Sequence, residues 1–219
     1  MMNVPLVFEA AELSQDERLF EIARQHCLTT RRYLVRGDFS TAHEGIFDPE
    51  SGMFLRYRTQ QGWRDDSSWA RGHCWAFYGF NLAYRYTGEA QFLTTAEGLA
   101  DYYLLHTPEH GIPPNDWDEP NPPYPYESSA AAIAASGFLS LAHCTRDSLR
   151  AKVYRESAQH ILATLSSDEF LATDEGWEGI LRHAIYHLPA GVGVDESTIW
   201  GDYFFLEAIW KAINDQPDC

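Results

Sequence analysis

Apolar residues recur at three- and four-residue spacings through six stretches of the chain, and this period predicts helices. The first stretch opens at Ser14, where Glu17 three residues on completes a capping signal. It carries Leu19, Ile22, Ala23, His26, Cys27, Thr30 and Leu34 on one face. Further helices are predicted over about 67–86, 89–105, 128–144, 147–165 and 200–213. The polar positions sort them into two kinds. Helices starting near Ser14, Glu89 and Asp147 have a charged outer face, whereas those starting near Ser67, Ser128 and Trp200 are apolar on most sides. A helix apolar all round must be buried all round. Alternating inner and outer helices are what an α/α toroid needs, and a general α-solenoid gives a similar pattern.

Strand signal is confined to residues 45–58. Phe47-Asp48-Pro49-Glu50-Ser51-Gly52 reads as a turn between two short extended pieces, the second being Met53-Phe54-Leu55-Arg56-Tyr57-Arg58. Two long loops remain: residues 106–127, with seven prolines, and residues 173–199, rich in glycine. Loops of that length in a compact domain are often functional.

With 219 residues the chain can bury one sizeable core. Aromatic residues make up 14 %, a density that suits a ring-lined sugar site or a large helical core. A net charge of −16 argues against nucleic acid and against an anionic membrane surface. It permits an anionic small substrate where a local cation outweighs the global field. Cys27, Cys74, Cys144 and Cys219 show neither a disulfide framework nor zinc-site spacing. The first residues lack a basic run and are not read as a signal peptide. No apolar run is long enough to span a membrane.

Arg71 is the leading candidate for chemistry. It sits on the first turns of a helix otherwise apolar, and a buried guanidinium needs an anion or a dense set of acceptors. Trp75, four residues on, shares its face, so the pair makes a plausible seat for a sugar carboxylate. The structural alternative is a salt bridge to Asp65 or Asp66, and spacing does not choose between them. Asp65, Asp66, Ser67 and Ser68 read as helix caps. His43 lies in a polar connection before the hairpin, and Gln61 just after it. His183 and His187, like His106 and His110, stand four apart without a third ligand, so no metal site is predicted. Asp195-Glu196 and Asp202 can be read as a glycosidase dyad, although an acid at a helix start is expected anyway.

Four blocks carry a family resemblance. They are Arg64-Asp65-Asp66-Ser67-Ser68-Trp69-Ala70-Arg71-Gly72-His73-Cys74-Trp75-Ala76-Phe77-Tyr78-Gly79-Phe80; Gly37-Asp38-Phe39-Ser40-Thr41-Ala42-His43 followed by Phe47-Asp48-Pro49; Ser128-Ser129-Ala130-Ala131-Ala132-Ile133-Ala134-Ala135-Ser136-Gly137; and Val194-Asp195-Glu196-Ser197-Thr198-Ile199-Trp200-Gly201-Asp202-Tyr203. Taken in chain order, over nearly the whole chain, they resemble the unsaturated glucuronyl hydrolases, glycoside hydrolase family 88. His73-Cys74 departs from the family's usual Gln-Ala, and Glu127 stands where Asp is common.

The resemblance implies an all-α fold, an incomplete (α/α)6 toroid with one short β-hairpin, occupying residues 1–219 as a single partial barrel. It implies removal of a 4,5-unsaturated uronic acid from the non-reducing end of lyase-generated oligosaccharides, by hydration of the enol-ether double bond, without metal or organic cofactor. His43, Gln61, Arg71, Trp75 and, more weakly, Ser197 match substrate-contacting positions. The family's principal catalytic Asp precedes the block that begins at Met1, and a second lies farther upstream. The chain is therefore expected to hold no catalytic carboxylate, to have little activity alone, and to self-associate through uncovered helix faces. The rival readings are an unsaturated rhamnogalacturonyl hydrolase and a non-catalytic carbohydrate-binding remnant.

Overall fold

Small residues decide where the centre of the molecule lies. In the computed structural model, which describes residues 1–214, every residue of α5 (Ser128–Cys144) except His143 is buried. Its alanines, serines and Gly137 let neighbouring helices approach closely, and a Cβ on Gly137 would meet the Phe77 ring at 3.0 Å. Glu127 caps this helix, its carboxylate accepting from Ala130 N.

Around α5 the helices form two layers. α1 (Val4–Ser14), α3 (Ala70–Thr87), α5 and α7 (Ile199–Asn214) follow one another as an inner row. α2 (Glu17–Leu34), α4 (Ala90–His106) and α6 (Ser148–Leu165) back them from outside. The chain is thus an incomplete toroid of alternating inner and outer helices, as the pattern predicts. The core runs between the layers through Phe8, Phe77, Phe80, Phe92, Tyr103, Phe138 and Tyr154.

Local signals differ from expectation in several places. Ser14 ends α1 rather than opening α2, because Gln15 turns left-handed (φ 54°) and closes α1, while Asp16 caps α2 through Arg18 N. Asp65, Asp66, Ser67 and Ser68 do not cap α3. Trp69 is its N-cap without a side-chain capping bond, and Ala70 N is satisfied by Asn115 O. Cys27 and Cys74 are buried and free. Cys219 lies outside the described residues.

There are two hairpins among the described residues, not one. β1 (Glu44–Phe47) pairs with β2 (Phe54–Arg58) about a turn held by Asp48 Oδ1. β3 (Ala184–His187) pairs with β4 (Val192–Glu196) inside the segment read as a glycine-rich loop. Gly191 at its tip and Gly193 within β4 have positive φ. At its base His183 and Asp195, both left-handed, are joined side chain to side chain at 2.6 Å.

Close packing of α4 against the loop between α2 and β1 is testable at Gly98, where an added Cβ would overlap the Phe39 ring. Gly98→Ala is expected to destabilise the chain by about 1–3 kcal/mol, read as a lower urea midpoint with unchanged slope.

Candidate functional site

At the N-terminal end of α3 a cation is enclosed between two indoles. The Arg71 guanidinium lies 4.5 Å from the Trp69 ring centroid and 5.2 Å from that of Trp200. Its side chain is buried. One terminal nitrogen donates to Ile185 O and the other to Tyr186 O at 2.8 Å, so β3 supplies its acceptors. The compensating anion is Glu127, whose Oε1 stands 3.7 Å from Arg71 Nη1. Burial lowers the Arg71 pKa, and Glu127 opposes that shift.

Glu127 is itself fully buried and fully engaged. Oε1 accepts from Ser129 Oγ at 2.6 Å and from Ile185 N at 3.2 Å, and Oε2 accepts from Ala130 N at 2.9 Å. One carboxylate therefore caps α5, holds β3 and balances Arg71. Asp65 and Asp66 have other partners: Asp65 accepts from Thr59 N at 2.8 Å, and Asp66 pairs with Arg64 at 3.1 Å.

Next to this cluster lies a cavity of about 200 Å³ lined by Leu34, Thr41, His43, Trp69, Gly72 and Trp75, among others. Gly72 is needed there, since a Cβ would stand 2.6 Å from the Trp69 indole. The Trp75 ring is braced edge-on by Phe204. The His43 ring packs on Trp69 with centroids 4.3 Å apart. His43 Nδ1 meets Thr59 Oγ1 at 2.9 Å and accepts from Gln60 N at 3.4 Å, which assigns the proton to Nε2. Burial first, then the positive charges of Arg71 and His187, push its pKa down to about 4 despite Glu44. The imidazole is neutral near pH 7. Larger grooves, of about 350–400 Å³, lie elsewhere, lined largely by α2, α4 and α6. The smaller cavity is the better candidate because it gathers His43, Trp69 and Trp75.

The five residues singled out in the sequence fall into three places. His43 and Trp75 share the cavity. Arg71 and Gln61 meet at one atom, the Tyr186 carbonyl, to which Gln61 Nε2 also donates at 2.6 Å. Ser197 sits apart, accepting from Trp177 Nε1 at 2.6 Å and donating to Leu181 O. Asp202 pins the adjoining loop through Ile180 N and Leu181 N, and Asp195 is taken by His183, so the two acids do not form a dyad. The spaced histidines do not converge either. His187 Nδ1 accepts from Ala190 N, and His106 bonds to Tyr102 O. Sequence reasoning gave no role to Trp69, Glu127, Tyr186 or Trp200. A glutamate directly before a buried small-residue helix was the available signal for Glu127.

Such an arrangement can stack a sugar ring and offer it a neutral imidazole beside a buried positive charge. No carboxyl side chain lines the cavity among the described residues.

Residues 1–204 match the family model described as Glycosyl Hydrolase Family 88. The chain is 40 % identical over 213 residues to an unsaturated glucuronyl hydrolase of Bacillus sp. (strain GL1), covering 96 % of this chain and 56 % of that protein. It superposes with a TM-score of 0.92 and 33 % identity on a crystal structure of an unsaturated glucuronyl hydrolase specific for heparin, covering 98 % and 58 % of the two chains. A Streptococcus agalactiae unsaturated glucuronyl hydrolase variant, complexed with dGlcA-GalNAc6S, gives 0.85 and 32 %, with coverage of 98 % and 57 %. The chain spans somewhat over half the length of the relatives it matches.

Removing Glu127 leaves Arg71 buried without an anion and frees two backbone donors. Glu127→Ala is expected to cost about 3–5 kcal/mol in urea unfolding, and Glu127→Gln less, because it keeps an acceptor oxygen. A second outcome concerns pH. His43 and the buried His73 both have folded-state pKa values lowered to about 4, against 6.5 when unfolded. Between those values the unfolded chain binds protons that the folded chain does not, so stability falls as pH drops from 6.5 toward 4. His43→Gln should shrink the difference between urea midpoints measured at the two ends of that window.

Proposed function

We propose that this chain, which belongs to Glycosyl Hydrolase Family 88, forms one partial (α/α)6 barrel domain carrying the uronate-binding part of an unsaturated glucuronyl hydrolase site. The substrate class is an oligosaccharide with a 4,5-unsaturated uronic acid at its non-reducing end. The observation that carries this reading is the cavity joining His43, Trp69 and Trp75 in front of the buried Arg71. The relative complexed with a dGlcA-containing disaccharide supports it.

In this reading Trp75 offers its indole face to the sugar ring. His43 and Gln61 orient the ring by hydrogen bonds at its reacting end. Arg71, bonded to Ile185 O and Tyr186 O, favours the uronate through its charge and keeps the β3–β4 hairpin in place. Counter-ions screen the rest of the acidic molecule beyond about 8 Å, so this nearby cation outweighs the net charge of −16. Ser197 contacts sugar only where the bound oligosaccharide reaches the loop around Trp177.

The reaction of the whole enzyme would be hydration. A proton adds to C4 of the enol ether and water oxygen to C5, and the hemiketal so formed opens the ring and releases the remaining sugar. General acid catalysis needs a positioned proton donor; the cavity lining holds no carboxylic acid, and its His43 is neutral near pH 7. The chain alone therefore binds the unsaturated sugar and turns it over little or not at all, the behaviour of a carbohydrate-binding remnant.

Titration with an unsaturated glucuronyl disaccharide, followed by tryptophan fluorescence, tests this. Saturable binding is expected, with Trp75→Ala weakening it about tenfold, or ~1.4 kcal/mol. The enol-ether absorbance should stay constant. Absence of binding would contradict the reading. Robust turnover would assign the proton donor to a carboxylate of this chain such as Asp65, Asp66 or Asp195. Tighter binding of a rhamnose-linked unsaturated uronide would favour the rhamnogalacturonyl class.

A further inference from the structure

Four non-glycine residues have positive φ among the described residues, and two of them, His183 (64°) and Asp195 (61°), face each other at the base of the β3–β4 hairpin. A Cβ disfavours that region, although Asp and His enter it more readily than most residues. The ladder shows why Asp195 adopts it. Ala184 pairs with Glu196 but Ile185 pairs with Val194, so Asp195 is one extra residue in β4, a bulge. The left-handed position of such a bulge is ordinarily glycine. Here Asp195 Oδ1 accepts from His183 Nδ1 at 2.6 Å, across the hairpin's open end.

His183 is itself seated on the body of the fold. Its carbonyl accepts from Ser128 N at 3.0 Å at the start of α5, and its ring meets Phe170 edge-on, with centroids 5.7 Å apart. The pair therefore ties β4 to a residue anchored on an inner helix. Immediately beyond it lie the acceptors used by two candidate site residues. Ile185 O and Tyr186 O take donors from Arg71, and Tyr186 O also takes Gln61 Nε2. Successive carbonyls of a regular antiparallel strand point to opposite sides. Two consecutive carbonyls bonded to one guanidinium depart from that alternation, and they do so directly beside the register shift. A slip of β4 by one residue would remove the shift and redirect this stretch.

We propose that His183 and Asp195 form a latch that holds the β4 bulge and thereby directs the Ile185 and Tyr186 carbonyls toward Arg71 and Gln61. They are positioning residues, since neither lines the cavity at His43 and Trp75. The consequence for sugar rests on the uronate-site reading above, whereas the latch does not depend on it.

Four single substitutions separate side chain from backbone. Asp195→Gly and His183→Gly accept a left-handed φ but delete the bond. Asp195→Asn and His183→Asn accept it too, and keep an acceptor oxygen or a donor nitrogen at the same place in the side chain. Deuterium exchange over residues 184–196, followed by mass spectrometry, should be about tenfold faster in each glycine variant and close to the unsubstituted rate in each asparagine variant. Exchange in α4 should not change. Binding of an unsaturated glucuronyl disaccharide should weaken about fivefold in the glycine variants and recover with asparagine. Glycine variants that exchange like the unsubstituted chain would overturn the latch, as would asparagine variants as impaired as glycine ones or protection lost throughout the molecule. Faster hairpin exchange with unchanged binding would overturn the positioning role. No binding by the unsubstituted chain would overturn the uronate-site reading and with it that role, while the exchange comparison still decides the latch.

Discussion

A guanidinium and a glutamate side chain are buried together where the N-terminal ends of α3 and α5 meet, and the surrounding structure supplies hydrogen-bond partners to both. Taking either ion out of water costs several kcal/mol, which their mutual attraction offsets only if the remaining donors and acceptors are also met. Here they are. Two backbone carbonyls of β3 take the Arg71 donors, and a backbone N–H of β3, the first turn of α5 and Ser129 take the Glu127 oxygens. The indoles of Trp69 and Trp200 cover the cation from two directions, and Trp200 is fixed by its own bond to Ser129. One hydrogen-bonded cluster therefore links two inner helices, the start of α7 and the β3–β4 hairpin.

The same cluster shapes the candidate site. Trp69 is shared: one neighbour is Arg71, the other the His43 ring. His43 is thereby pressed into a poorly solvated position near a permanent positive charge, which keeps the imidazole neutral and its Nε2 proton in place. Gln61 joins through the Tyr186 carbonyl that Arg71 also uses. The cavity walls are consequently set by residues far apart in the chain but coupled through a few atoms. A preorganised wall of this kind can hold a flat unsaturated ring without rearranging on binding.

Helix positions were largely legible in the sequence, because burial on one side or all sides leaves a period that survives without knowledge of neighbours. The bounds of α5 were readable to the residue, and those of α4, α6 and α7 nearly so. The β3–β4 hairpin was not. Its glycines mark positive-φ turn positions, which look like loop punctuation until the strands that flank them are seen to pair. The partner of Arg71 was also invisible. Asp65 and Asp66 are close in sequence but answer to Thr59 and Arg64, while Glu127 reaches Arg71 only because α3 and α5 pack side by side. Spacing on α3 placed Arg71 and Trp75 on one face. It did not reveal that the cation lies behind Trp69, outside the cavity lining, while the indole of Trp75 lines it.

The central claim is that Arg71 acts from behind the site, held by Glu127 and the β3 carbonyls, while His43 and Trp75 meet the sugar. A crystal structure of this chain with an unsaturated glucuronyl disaccharide examines it most directly. The account predicts the unsaturated ring lying against Trp75 within reach of His43, with Arg71 still bonded to Ile185 O and Tyr186 O. Sugar bound in another part of the molecule, or Arg71 released from those carbonyls to pair with the carboxylate, would contradict it.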